Sequence, residues 1–208
     1  MNQNINLVPL SQLSDRQIKE ICAIHQEAIP SLLSKLGKSF LKRFYRLAAS
    51  SPDAISVCAL DSSGRVLGWA VGSPDPNTLF SQLRDNLWWF IKGVAIATLR
   101  KPSLLIDFTS QLVPNGANNM SSRQIELTYI AVHPDSRSTG VGERLLTAFL
   151  DHARVYGAQS CVLSVEVENT TAERFYKKNG FSVLTTFKEG NYRRHRMFLL
   201  LDPQKAIC

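Results

Sequence analysis

The sequence predicts an α/β fold, a mixed central sheet of about seven strands flanked by helices, and three observations predict it. From Gln124 to Leu201 strand-like and helix-like segments alternate, which calls for parallel pairing through crossover helices. Earlier in the chain, Asp61-Ser62-Ser63-Gly64 separates two short apolar runs, the signature of an antiparallel hairpin. A length of 208 residues, 44% hydrophobic and 20% charged, suits one globular domain with a sizeable core rather than a disordered chain.

Residues 5–10 form a short apolar segment and read as the opening strand. A helix follows, because Ser14 and Gln17 make a capping box and Ile18, Ile21, Cys22 and His25 repeat at helical spacing until Pro30 interrupts. Phe40, Leu41, Phe44, Tyr45 and Leu47 give a second helix just after Gly37. Residues 55–60 and 66–72 are the hairpin strands. The later elements are strands at 125–132, 161–167, 181–187 and 197–201, with helices at 141–156 and 171–178. Thr170 with Glu173 reads as the capping box of the last helix, which ends at Gly180.

One stretch, residues 79–119, has another character and is predicted as a helical insertion between the third and fourth strands of a single domain spanning residues 1–208. Phe80, Leu83, Leu87, Ile91 and Val94 keep helical spacing, while Trp88, Trp89 and Phe90 spread apolar surface around the helix. Lys92 interrupts it and the run falls short of the ~20 residues of a membrane span. A lid over an acceptor site, a homodimer contact, and peripheral contact with a bilayer remain as roles.

A net charge of +7, with a pI near 9.4, suits an anionic partner: nucleic acid, an acidic membrane surface, or a phosphate-rich ligand. No zinc-finger spacing or RNA-binding aromatic motif accompanies the basic residues, so no nucleic acid partner is expected. Four cysteines, Cys22, Cys58, Cys161 and Cys208, lack metal-ligand rhythm and read as reduced thiols, and no metal is expected. The first ten residues lack a secretory pattern, so the expected location is cytoplasmic.

The segment that carries chemistry begins on the strand Ile125-Glu126-Leu127-Thr128-Tyr129-Ile130-Ala131-Val132. It runs through His133-Pro134-Asp135-Ser136 into Arg137-Ser138-Thr139-Gly140-Val141-Gly142 and then a helix. Glycines let a backbone turn sharply with its N–H groups inward, and a helix start adds its positive dipole end, so the layout is a phosphate cradle. The dinucleotide fingerprint lacks its third glycine, and no Lys-Ser or Lys-Thr follows for a Walker loop.

Arg137 to Gly142 resembles the cofactor loop of the GNAT superfamily of N-acetyltransferases: Arg or Gln, two variable residues, Gly, one variable residue, then Gly or Ala. Val132-His133-Pro134 before it extends the likeness, as does Asn169-Thr170-Thr171-Ala172-Glu173-Arg174-Phe175-Tyr176-Lys177-Lys178-Asn179-Gly180-Phe181 after it. The resemblance implies acetyl-CoA as acetyl donor, with the loop Arg137, Ser138, Thr139, Gly140, Val141 and Gly142 on its diphosphate. It also implies that the main chain of Ile130, Ala131 and Val132 pairs with the pantetheine arm, that Ala172 is cofactor-binding, and that Asn169, by itself a helix cap or strand end, contacts that arm or the sheet that carries it. Tyr176 would be the proton donor to the departing thiolate.

An amine must be neutral to attack, so a base is expected near it, and Glu126 is the candidate. Strict alternation would place Glu126 on one face with Thr128 and Ile130. The position five residues before Asn169, which carries the base in some relatives, is Ser164 here. His25 reads as a core histidine, and Arg193-Arg194-His195-Arg196 as a solvated hairpin edge before the last strand or as the receiver of a phosphate or carboxylate of the acceptor. The function that follows is direct transfer of acetyl to a primary amine, an amino sugar or another small molecule. A protein amine and a non-catalytic acetyl-CoA-binding module are the alternatives.

Overall fold

The computed structural model describes residues 5–29, 31–76, 79, 82, 123–190 and 192–202. The predicted insertion lies almost wholly outside them, and with it the lid, dimer and bilayer roles. Among the described residues no helix is long and apolar enough to cross a membrane.

The chain order is β1 (Asn6–Val8), α1 (Asp15–Ala28), α2 (Leu32–Leu36), α3 (Lys38–Ser50), β2 (Ile55–Leu60) and β3 (Val66–Ser73). After the insertion come β4 (Gln124–Val132), α4 (Val141–Val155), β5 (Ser160–Glu166), α5 (Thr170–Lys178), β6 (Ser182–Glu189) and β7 (Tyr192–Leu200). Seven strands form one sheet in the order β1-β2-β3-β4-β5-β7-β6, and β4 with β5 is its parallel pair. The antiparallel ladders need only turns, whereas the parallel pair needs the crossover that α4 supplies.

Each sheet face has its own core. On one, Leu145, Leu146, Phe149 and Ala153 of α4 pack on Val57, Ala59, Ala70, Ile125 and Leu127, with Tyr176 and Phe181 at the edge. On the other, Ile18, Ile21 and Ile24 of α1 and Phe40, Leu41 and Phe44 of α3 cover Cys58, Trp69 and Val71. Phe149 and Phe44 are each fully buried, worth roughly 1.5–3 kcal/mol apiece. Cys22, Cys58 and Cys161 are buried free thiols.

Local signals explain most boundaries. Ser14 and Gln17 form the capping box of α1 as expected, and Gly157, at φ +93°, follows the end of α4. Four readings change. The short α2 is additional to the expected helices, capped by Ser31, whose side chain accepts from the Ser34 N–H. The cap of α5 is Asn169, not Thr170: its side chain accepts the Ala172 N–H at 3.1 Å, leaving Glu173 to pair with Lys177 at 2.7 Å. The run Arg193 to Arg196 is not a loop edge but lies inside β7, paired residue by residue with Glu166 to Ser164 of β5 from Arg194 onward.

The fourth change is in β4. Ser73 pairs with Glu126 and Gly72 with Leu127, but Val71 pairs with Tyr129, so Thr128 is an extra, bulged residue. A bulge reverses the facing of everything after it. Ile125 and Leu127 before it, and Ile130 and Val132 after it, all pack on the α4 side, while Tyr129 and Ala131 pack on the α1–α3 side. Glu126 therefore shares a face with Tyr129, not with Ile130 as strict alternation requires. Gly72 permits this: a Cβ there would lie 2.1 Å from the Glu126 carbonyl oxygen and 2.7 Å from the Phe149 ring.

Candidate active site

Two parallel strands part at the centre of the sheet. β4 pairs with β5 only through Gln124, Ile125 and Glu126, opposite Ser160, Cys161 and Val162. Beyond that point β4 continues to Val132 against β3, and β5 continues to Glu166 against β7. The gap leaves one edge of β4 with unpaired peptide groups, which in a sheet interior demand a partner. His133 N–H bonds to the Leu67 carbonyl at 2.8 Å, so alternation turns the peptide groups of Val132 and Ile130 into the gap and those of Ala131 back toward Trp69. Of the three main-chain positions expected to contact a cofactor, two face the opening.

The glycine loop sits beyond the end of that edge. It is fixed from below: Thr139 Oγ1 donates to the Ser136 carbonyl at 2.7 Å, and Arg65 pairs with Asp135 at 2.9 Å. Ser138 at φ +61° and Gly140 at φ +87° both adopt the left-handed region, an alternation that turns successive N–H groups to one side. The first helical bond of α4 is Arg144 N–H to the Gly140 carbonyl at 3.1 Å, so the N–H groups of Val141, Gly142 and Glu143 lie ahead of it. The arrangement can hold a diphosphate through backbone alone. Arg137 is exposed and free to swing over such a ligand. Gly142 faces Val132 and Phe175 at 3.5 and 3.7 Å, so a methyl fits there but little more.

Tyr176 approaches from the α4 side. It is 8% exposed, edge-on to Phe175 and Phe181. Burial, then the neighbouring Cys161 thiol, pushes its phenol well above the usual value. Cys161 is among the last β5 residues paired with β4, so Tyr176 stands where the strands begin to part. A phenol that stays protonated is a donor rather than a base. Asn169 and Ala172 are joined to each other by the α5 cap at the helix start.

The opposite side of the gap is built from side chains. Arg196 donates to Glu126 Oε2 at 2.7 Å and to Ser164 Oγ at 3.1 Å, both ends of the ion pair less than one-fifth exposed. One arginine thus spans the expected base and the alternative position. Glu126 Oε1 has no bond among the described residues. Beside Glu126, the buried hydroxyls of Ser73 and Thr128 are also without partners among the described residues. Arg194 pairs with Glu189, and Lys35 and Arg194 flank the Tyr192 ring at 5.6 and 5.7 Å.

His25 is fully buried, and burial pushes it down to about 4. Its Nδ1 lies 2.5 Å from Tyr45 Oη and its Nε2 2.9 Å from Ser31 Oγ, so it is a core histidine as expected, though one with two polar partners. Sequence reasoning missed Tyr129, which stacks edge-on to His25 at 4.7 Å. The glycine at position 72, inside a strand, was the available sign of the bulge that turns it inward.

Among the described residues no group of three or more metal-binding side chains occurs. The model of the acetyltransferase (GNAT) family matches residues 107–181. A mycothiol acetyltransferase of Saccharopolyspora erythraea is 28% identical over 142 residues, 67% of this chain and 43% of that protein. An uncharacterized N-acetyltransferase, YhfO, of Bacillus subtilis is 37% identical over 82 residues, 39% of this chain and 54% of that protein. The chain thus spans about half or less of the curated relatives it matches. The PaiA N-acetyltransferase of Thermoplasma acidophilum, solved with coenzyme A, superposes with a TM-score of 0.60 over 95% of this chain and 99% of that one, at 16% identity, a likeness of fold. A parted β4–β5 pair, a glycine loop that opens α4 and a match over residues 107–181 agree: this part of the chain is similar to the acetyltransferases of the GNAT family.

Proposed function

We propose that the protein transfers the acetyl group of acetyl-CoA to the primary amine of a small molecule, an amino sugar or a related amine, by direct attack. The observation that carries this reading is the parting of β4 from β5 after Glu126, which exposes the peptide groups of Ile130 and Val132 in line with the glycine loop. The loop would hold the diphosphate, with Arg137 over it, and the β4 edge would pair with the amides of the pantetheine arm. That brings the thioester to the point where Tyr176 stands. The relatives named as acetyltransferases support the same donor.

The chemistry assigns each group a task. The amine lone pair attacks the thioester carbonyl, and Glu126 Oε1 accepts the proton the nitrogen sheds, directly or through water. A β4 N–H facing the gap stabilises the oxyanion. As the carbon–sulfur bond breaks, Tyr176 donates its proton to the thiolate, and exchange with solvent returns the proton from Glu126. Arg196 fixes the carboxylate by holding Oε2, so that Oε1 keeps one direction. No cysteine is needed as a nucleophile, and burial pushes Cys161 up to about 12, which suits a spectator. We place this activity in the cytoplasm.

The test is a screen of amines, amino sugars and short peptides for thiol release from acetyl-CoA. Small amines are expected to turn over, whereas turnover of peptides alone would move the acceptor to a protein. Tyr176→Phe is expected to bind coenzyme A unchanged and to lose about 100-fold in kcat. An unaltered kcat would remove its role as acid.

A further inference from the structure

The buried chain of hydrogen bonds behind Tyr129 has a direction, and that direction ends in the acceptor cleft. Trp69 Nε1 can only donate, and it donates to Tyr45 Oη at 3.0 Å. The Tyr45 hydrogen can then go to His25 Nδ1, 2.5 Å away. His25 is fully enclosed, with no carboxylate bonded to either ring nitrogen, so it stays neutral and carries its hydrogen on Nε2. That hydrogen goes to Ser31 Oγ at 2.9 Å, and the Ser34 N–H goes to the same oxygen at 3.1 Å.

Both lone pairs of Ser31 are then filled. Its own hydrogen goes to Ser34 Oγ, at 3.0 Å, while Ser34 donates to the Ile29 carbonyl. Tyr129, whose ring lies edge-on to His25, cannot donate to that filled oxygen. Its O–H is then left to turn from the network, toward the face Tyr129 shares with Glu126 of β4, with Glu189 of β6 and Arg194 of β7 among its charged neighbours. Arg194 already holds Glu189. The bulge at Thr128 puts Tyr129 and Glu126 on one face, so an outward donor and an accepting carboxylate line the same space.

We propose that Tyr129 is a specificity-determining residue that donates its hydroxyl hydrogen to an oxygen of the acceptor close to the amine, while Glu126 takes the amine's proton. The acceptor class is then a primary amine with a hydroxyl or carbonyl oxygen on the neighbouring carbon, as in a 2-amino sugar or an amino alcohol. Ser31 and His25 act as positioning residues, because the occupied Ser31 oxygen closes that direction to the hydrogen. This rests on the acetyl-transfer reading above, and it can fail separately.

Its test pairs glucosamine with cyclohexylamine, and ethanolamine with propylamine, within the thiol-release screen. The oxygenated member of a pair is expected to have a kcat/KM about tenfold higher or more. Tyr129→Phe should erase that preference, bringing the two members of each pair to the same kcat/KM, with coenzyme A bound as in the wild type. A preference that survives in Tyr129→Phe, or none in the wild type, overturns the proposal. Absence of any turnover with coenzyme A bound counts against acetyl transfer itself, and the proposal then falls with it. A measurement without turnover checks the direction of the chain: long-range 1H–15N NMR should find His25 protonated on Nε2 alone at pH 7. Protonation on Nδ1 would reverse the chain and overturn the assignment.

Discussion

The two sides of the parted strands are built from different materials. The side proposed for the coenzyme is backbone: a strand edge with unpaired peptide groups, a loop with two left-handed residues, and the first turn of α4. The side proposed for the acceptor is side chain: Glu126, Arg196, Ser164, Tyr129, Ser31 and His25, drawn from β4, β5, β7, α1 and the loop after it. Backbone recognition suits a ligand that stays the same across a family, because it tolerates changes in most side chains. Side-chain recognition can be rewritten residue by residue, and it suits an acceptor that varies.

That contrast can be broken at several points, the largest being Gly72. Its replacement by alanine drives a methyl into the Glu126 carbonyl and is expected to cost about 3 kcal/mol in urea unfolding, with loss of the bulge that faces Tyr129 inward. A variant as stable as the wild type would show that the bulge does not depend on this glycine.

His25 gives an effect of similar size that depends on pH. Its folded value near 4 lies below the ordinary 6.5. Between those values the unfolded chain binds a proton that the folded one refuses, so stability falls as pH falls from 6.5 to 4, by about 3 kcal/mol. Above 6.5 the histidine contributes no slope. His25→Gln should flatten that part of the stability profile relative to the wild type, and equal slopes would mean that the ring takes up its proton in place.

The loop glycines sharpen the comparison with smaller effects. Gly140 has nothing within 4 Å of a would-be Cβ but sits at φ +87°, so alanine there costs backbone strain alone, about 1 kcal/mol. Gly142→Ala meets only ordinary contacts and should stay within about 0.5 kcal/mol of the wild type. Thermal unfolding of the two variants distinguishes them, and the reverse order would contradict the loop geometry described here.

What could be read in the sequence follows the same division. The glycine loop was legible because its chemistry demands glycines at fixed spacing between a strand and a helix start, all within Val132 to Gly142. Likewise the helices declared themselves through local spacing, as at Ile18, Ile21, Cys22 and His25. The acceptor face was not legible in this way. Arg196 and Glu126 are 70 residues apart, and only the β5–β7 register brings them together. Glu126 was picked out as a carboxylate in an apolar strand, but its facing was misread, because a bulge is set by the partner strand and not by the strand that carries it. Arg194 and Arg196 looked solvated for a related reason: their carboxylate partners, Glu189 and Glu126, come from other strands.

Amide hydrogen exchange with and without coenzyme A tests most directly whether the open β4 edge and the glycine loop are the cofactor seat. Binding should slow exchange at Ile130 and Val132 and across Ser138 to Glu143, while Ala131, already turned toward β3, changes little. Protection elsewhere in the sheet, with those amides unaffected, would contradict the account.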